Sequence, residues 1–188
     1  MQNKDELLYR QPVTLRDGSR VLLRPLSKDD GQALVDLFAS VTPDESIMMR
    51  HDVSDPKVVG AWVDELDYQK VLPLVAVLGT RIVGDATLHF GQGPTRHIGE
   101  VRIYLAKDFR QRGLGTRILQ AVNDLARRRG LLMLEVRFIR DRTDDIRAFQ
   151  SVGFVSKCIF EDAFMLPNGE LRDIVHLILR IRPTNDGF

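Results

Sequence analysis

Apolar residues fall into short runs divided by Asp-Gly, Gly and Pro, and the spacing inside each run predicts its element. Pro12–Leu15 and Arg20–Leu23 are apolar-rich runs joined through Asp17-Gly18, the pattern of a β-hairpin. Pro25 ends the second run, because proline cannot donate to a ladder. Asp29 and Asp30 then precede Ala33, Leu34, Leu37 and Phe38, which share one face of a helix over about 30–40. Asp55-Pro56 starts a second helix, with Val58, Val59, Trp62, Val63 and Leu66 as its apolar face, to about residue 67. Between the two, residues 42–54 show no period.

Leu72–Leu78 and Ile82–Phe90 read as antiparallel strands turned by Gly79-Thr80-Arg81, and His97–Ala106 as the next strand. Leu114, Ile118, Val122, Leu125 and Ala126 repeat with a period near 3.6, so a helix follows. Arg127, Arg128 and Arg129 suit its negative end, and Gly130 caps it. Leu131–Ile139 resembles a strand covered on both faces. A charged turn, 140–145, leads to a short helix, Ile146–Val152, stopped by Gly153. Phe154–Phe160 and Asp173–Ile181 are the last strands, with Pro167-Asn168-Gly169 in the turn between them. The expected organisation is one domain over 11–182, a polar N-terminal extension over 1–10 that is poorly ordered at its start, and a polar tail over 183–188.

Composition narrows the class. With 188 residues, 44% of them hydrophobic, the chain is long enough for one sizeable core. A formal net charge of +1 gives no basic footprint, so nucleic acid is not an expected partner. No apolar run approaches membrane-spanning length and none of signal-peptide length opens the chain, so no membrane association and a cytoplasmic, reducing setting are expected. The single cysteine, Cys158, cannot form an intrachain disulfide; in its apolar run it is expected to be buried and inert. His51, His89, His97 and His176 have no metal-ligand spacing, so no metal is expected, although His89 could approach an acceptor site. There is no internal repeat or low-complexity segment. The exposed edge of a terminal strand makes a second copy of the chain a candidate partner.

The chemistry centres on Arg110-Gln111-Arg112-Gly113-Leu114-Gly115-Thr116, between the strand ending at Ala106 and the helix that follows. Glycine lets the backbone approach an anion closely, and a helix N-terminus offers free N–H groups at the positive end of a dipole. Arg110, Arg112 and Arg117 would add charge at the rim, and a β-branched residue at 113 or 115 would fill the phosphate space. The bland alternative is a tight strand-to-helix turn. A P-loop does not fit, because no lysine follows Gly115, and a dinucleotide fingerprint does not fit, because Ile118 stands where a third small residue belongs.

Arg110-x-x-Gly113-x-Gly115 fills the Gln/Arg-x-x-Gly-x-Gly/Ala motif of the GNAT superfamily of N-acetyltransferases. The element order resembles that superfamily from about Val13 to Arg182, most specifically over 97–154, where the short helix ends in Gly153-Phe154. The N-terminal part, from Asp17-Gly18 through Leu23-Arg24-Pro25 and on to Leu34 and Phe38, is more loosely similar to bacterial protein-lysine acetyltransferase domains. The resemblance implies an α/β (α+β) acyl-CoA N-acyltransferase fold, a mixed, mostly antiparallel sheet of about seven strands flanked by about four helices. It implies acetyl-CoA as cosubstrate and a primary amine, on a small molecule or a lysine, as acceptor.

By that resemblance, backbone groups of Ile103 and Leu105 pair with the pantetheine, and N–H groups around Gln111, Arg112, Gly113, Leu114, Gly115 and Thr116, with Arg110, hold the pyrophosphate. The amine attacks the thioester directly. It must first lose a proton, since a lysine amine has a pKa of about 10.4, and a donor near Leu105 stabilises the oxyanion. Glu100 matches the family's general base; it could equally be a strand glutamate paired with Arg102 or Arg137. Tyr104 shares the face of Glu100 and Arg102 and could line the acceptor pocket, serve as an acid, or pack as an ordinary aromatic. Two positions depart from the family: Phe149 stands where a tyrosine often protonates the leaving thiolate, and Arg142 replaces a CoA-contacting asparagine. Phe149 keeps open a second reading, a non-catalytic acyl-CoA-binding module. Glu45, Glu161 and Asp162 would favour a cationic acceptor by charge alone.

Overall fold

The computed structural model describes residues 4–47, 49 and 51–181. In chain order its elements are α1 (Lys4–Leu7), β1 (Gln11–Thr14), β2 (Arg20–Pro25), α2 (Gly31–Phe38), α3 (Pro43–Ser46), α4 (Pro56–Asp64), β3 (Val71–Leu78), β4 (Arg81–Phe90), β5 (Ile98–Leu105), α5 (Leu114–Arg128), β6 (Met133–Ile139), α6 (Thr143–Ser151), β7 (Val155–Met165) and β8 (Leu171–Arg180). The strands form one eight-stranded sheet in the order β1-β2-β3-β4-β5-β6-β8-β7. Among the described pairs only β5–β6 is parallel. This is the expected mixed α+β architecture, with one strand more than the expected seven.

Alternation along the central strands assigns the two faces. Gly84 and Gly99 lie on the α5 side; a Cβ at Gly84 would stand 3.0 Å from Ile118 and one at Gly99 would stand 2.8 Å from Leu131. Leu114, Ile118, Val122 and Leu125 of α5 are buried there, each worth about 1.5–3 kcal/mol in transfer free energy. Phe149 of α6 packs on Phe138 of β6 on this same side. The other face carries α2 and α4, joined through Phe38 and Trp62, and Phe38 stacks on Tyr104 of β5 at 5.3 Å. The start of α2 is tied to β2 by a two-pronged ion pair, Arg24 to Asp30, at 2.6 and 2.7 Å.

Several local readings differ from expectation. One face of β6 is polar, with Arg137 half exposed, so that strand is not covered on both faces. β7 runs on to Met165, and α6 starts at Thr143, inside the expected charged turn. Residues 4–7 form a helical turn, and buried Glu6 accepts from Arg129 at 2.7 Å, so the extension is anchored by an ion pair 123 residues away in sequence. Residues 43–46 form a turn of helix with a capping box, Thr42 and Glu45. The α4 helix ends at Asp64, short of residue 67. Cys158 is exposed, not buried. The reason is that β7 is the edge strand, beyond the helices that cover the central strands, and Ile159 and Phe160 are exposed on it as well. The polar tail over 183–188 lies outside the described residues. No described helix is long and apolar enough to cross a membrane.

Candidate functional site

The loop from β5 to α5 is shaped by two left-handed residues, Gln111 at φ 60° and Gly113 at φ 85°. Alternation of backbone hand around Arg112 turns successive N–H groups to one side, the geometry of an anion nest. Gly113 is the N-cap of α5, with no side-chain cap and no acid in the first turn. The first helical N–H to find a backbone acceptor is that of Arg117, on Gly113 O at 3.2 Å. Among the described residues, the N–H groups of Leu114, Gly115 and Thr116 therefore stand open at the positive end of a fifteen-residue helix. The two glycines differ in purpose. Gly113 needs the left-handed conformation, whereas a Cβ at Gly115 would stand 3.3 Å from Leu105 Cδ1. Gly115 thus permits close packing of α5 on β5, and a side chain there would press on Leu105 before filling any phosphate space.

The arginines are arranged differently from the sequence expectation. Arg112 pairs with Asp17 and lies over Phe109 at 5.0 Å. Its carbonyl accepts from Arg16 N at 3.2 Å, so the β1–β2 hairpin is fastened to the loop. That contact brings the Arg16 side chain to 3.6 Å from where a Cβ of Gly113 would stand. Arg110, expected at the rim, is turned inward: Nε and Nη2 both donate to Leu105 O at 3.1 Å, and Nη1 pairs with Glu45 at 2.7 Å. Burial works against ionising Glu45, but bonds from Thr42 N–H and Arg110 outweigh it and hold its carboxyl below the usual range. Arg16 is a cation held beside the helix start, and Arg117, in the first turn of α5, is exposed.

Backbone parity identifies a second feature. Ala106 N donates to Val83 O and Gly91 N to Ile98 O, so the even-numbered residues of β5 bond toward β4. Val101, Ile103 and Leu105 consequently direct their N–H and C=O groups toward β6. The β5–β6 ladder, however, covers only Ile98–Glu100 against Met133–Glu135. Beyond Glu100 the strands separate. Among the described residues, the backbone of Ile103 and the N–H of Leu105 face the gap without a ladder partner, while Leu105 O is held by Arg110.

Side chains on the α2 face of this gap are polar. Glu100 accepts from Arg102 at 3.2 Å, and Glu135, its register partner, accepts from Arg137 at 3.4 Å. His176 of β8 lies 3.2 Å from Glu135. His89, opposite Glu100 on β4, bonds to Thr87 at 2.9 Å. Tyr104 is buried in aromatic packing, its hydroxyl 3.5 Å from Ser40. Asp85, the register partner of Tyr104, is only 7% exposed. Burial pushes its carboxyl up to about 7. Phe149 is buried edge-to-face between Phe138 and Phe154, at 5.0 and 5.1 Å. Arg142 pairs with Asp145 at 2.7 Å. Among the described residues no group of three or more His, Cys, Asp or Glu is placed to hold a metal.

Sequence reading missed Arg16, Asp85 and Glu135, and named His176 only as a histidine without metal-ligand spacing, not as the partner of Glu135. Two signals were present: a lone acid inside the apolar run 82–86, and the tripeptide Glu-Val-Arg occurring at both 100–102 and 135–137.

Comparison with known proteins agrees with this fold. The profile of the acetyltransferase (GNAT) family matches residues 34–154. No curated protein matches the chain significantly. Among solved structures, the GNAT domain of S. lividans PAT superposes with a TM-score of 0.75 at 21% identity, over 91% of this chain and 96% of that one. An N-acetyltransferase from Staphylococcus aureus Mu50 gives 0.76 at 17% identity, over 87% and 100%. The yncA protein of Salmonella typhimurium, solved with acetyl-CoA, gives 0.75 at 18% identity, over 88% and 96%.

Proposed function

The chain belongs to the acetyltransferase (GNAT) family, and from that premise we propose that it moves an acetyl group from acetyl-CoA to a primary amine. The observation that carries this reading is the uncapped start of α5 beside an open β5 edge. One suits a pyrophosphate and the other an amide-bearing arm, and they are joined by the same loop. Acetyl-CoA supplies an activated acyl group when bound, and yncA of Salmonella typhimurium was solved with that cosubstrate.

In this reading the N–H groups of Leu114, Gly115 and Thr116, with Gln111, Arg112 and Gly113 shaping the nest, hold the pyrophosphate, and Arg16 adds charge. Ile103 and Leu105 pair along the pantetheine as an added strand. A backbone N–H on the open edge of β5, between Glu100 and the stretch that pairs with the pantetheine, is the donor for the acyl carbonyl oxygen. Glu100 takes a proton from the incoming ammonium, directly or through one water. Tyr104 shapes the acceptor side through its packing on Phe38. As the C–S bond breaks, the acylated nitrogen sheds its second proton; Phe149 cannot donate, so the departing thiolate takes that proton through solvent, and a thiol pKa of about 8.5 makes it a fair leaving group without help.

A second reading, an acyl-CoA-binding module without turnover, is favoured by one observation, the buried hydrocarbon ring of Phe149. A thiol-release assay with acetyl-CoA and a panel of amino acids, polyamines, aminoglycosides and lysine peptides separates them. Release that depends on an added amine supports the enzyme. Tight binding of CoA with no release from any amine supports the module, and failure to bind CoA overturns both.

A further inference from the structure

The acceptor side of the gap carries a charge pattern that an unspecific amine site does not need. Glu100 and Glu135 are register partners on neighbouring parallel strands, so both carboxylates leave the same face at the closed end of the gap. Two residues on, Arg102 and Arg137 leave that same face from the two separating strands. The tripeptide Glu-Val-Arg therefore stands twice, in register, across the point where β5 and β6 part. Each arginine rests on the glutamate of its own strand, at 3.2 and 3.4 Å, and His176 closes the row at 3.2 Å from Glu135. The carboxylates are the more sheltered members, 21% and 17% exposed, and the guanidinium groups the more open, 32% and 50%.

The acids that composition alone would assign to a polycation are committed elsewhere or lie away from the gap. Glu45 is paired with Arg110. Glu161 and Asp162 are exposed on β7, beyond β8 from the gap. Among the described residues, the gap is faced by two carboxylates at its base and two guanidinium groups on its arms, with His176 beside Glu135 and His89 opposite Glu100. Partly exposed pairs of this kind contribute little, so a ligand carboxylate can take over the guanidinium groups and a ligand ammonium the carboxylates. Guanidinium binds carboxylate in a planar, two-pronged fashion.

We infer that the acceptor is a free amino acid, its ammonium held against Glu100 and Glu135 and its carboxylate against Arg102 and Arg137. The inference rests on the reading of the chain as an N-acetyltransferase and narrows its substrate class. Specificity comes from the carboxylate: an amine that lacks one leaves Arg102 and Arg137 on their own glutamates and gains nothing from the arms of the gap.

The test compares thiol release from acetyl-CoA with individual amino acids, with their decarboxylated counterparts and with spermidine, while acetyl-CoA affinity is measured separately by calorimetry. At least one amino acid is expected to exceed its decarboxylated counterpart in kcat/KM by about tenfold to a hundredfold, the size of a charge-assisted two-pronged contact. In Arg137→Gln that ratio collapses toward one through a rise in KM for the amino acid, with acetyl-CoA affinity unchanged. The ratio is taken within one variant, so a partial loss of folded protein does not move it. Equal or better use of decarboxylated amines or spermidine overturns the inference and leaves the enzyme reading standing, as does a ratio that survives Arg137→Gln. Release from no amine at all, with acetyl-CoA bound, overturns both.

Discussion

Replacing Asp85 by Asn removes a buried acid while keeping its shape. Asp85 sits in the centre of the sheet, between Val75 of β3 and Tyr104 of β5, where water reaches little of it. Burial raises its pKa from 3.8 to about 7. Below 3.8 both the folded and unfolded chains hold the proton and nothing is lost. Between 3.8 and about 7 the unfolded chain releases it and the folded chain keeps it, so stability falls as pH rises. The slope is about 1.4 kcal/mol per pH unit, and the full loss above that window is about 4 kcal/mol. Asparagine has no such proton. Urea denaturation at pH 5 and pH 8 should show Asp85→Asn gaining on the parent by about 3 kcal/mol over that interval, with unchanged m. A stability difference independent of pH, or one that moves toward the parent as pH rises, refutes the assignment of a neutral buried carboxyl at this position.

Gly113→Ala forces a side chain into the left-handed backbone at φ 85°; it should cost about 1–2 kcal/mol in denaturation and weaken acetyl-CoA binding in calorimetry, and unchanged affinity in the folded variant counts against the nest. Glu100→Gln should lower thiol release by about 10²–10⁴-fold and leave acetyl-CoA affinity as it was; an unaltered pH–rate profile removes Glu100 from the role of base. Asp30→Ala strands the largely buried Arg24 guanidinium and should cost about 3–5 kcal/mol by urea denaturation, with a loss near zero showing that the pair does not anchor α2. Burial works against ionising Asp30, but bonds from Arg24 and Ser27 outweigh it and depress its pKa, so its stabilisation is present above the ordinary aspartate range and is lost as pH falls through the depressed value.

Local chemistry was legible in the sequence wherever neighbours along the chain decide it. Asp17-Gly18 makes a hairpin and Gly113 opens α5 because their backbone requirements are set within a few residues. The same holds for Asp55, which caps α4 by accepting from Lys57 N. Contacts between distant segments were not legible. Arg112 meets Asp17 across 95 residues, and only that closure brings Arg16 to Gly113. Arg110 looked like a phosphate contact because of its place in a motif, yet the nearest anionic and carbonyl oxygens, on Glu45 and Leu105, draw it inward. Tyr104 showed the right face but not the Phe38 ring that packs against it. The pairing of Glu100 with Glu135 depends on strand register, which the spacing of residues within either strand does not determine.

The open N-terminus of α5 as the holder of a pyrophosphate is the central claim, and calorimetric titration tests it most directly. Acetyl-CoA and S-acetylpantetheine carry the same acyl arm; the first adds the pyrophosphate and a phosphorylated adenosine, and Gly113→Val separates out the share of the pyrophosphate. The parent protein should bind acetyl-CoA at least about a hundredfold more tightly, as expected for several charge-assisted bonds to one anion. In Gly113→Val most of that advantage should disappear while binding of the acetylpantetheine arm persists. Equal affinity of the parent for the two compounds, or a full advantage retained in Gly113→Val, would contradict it.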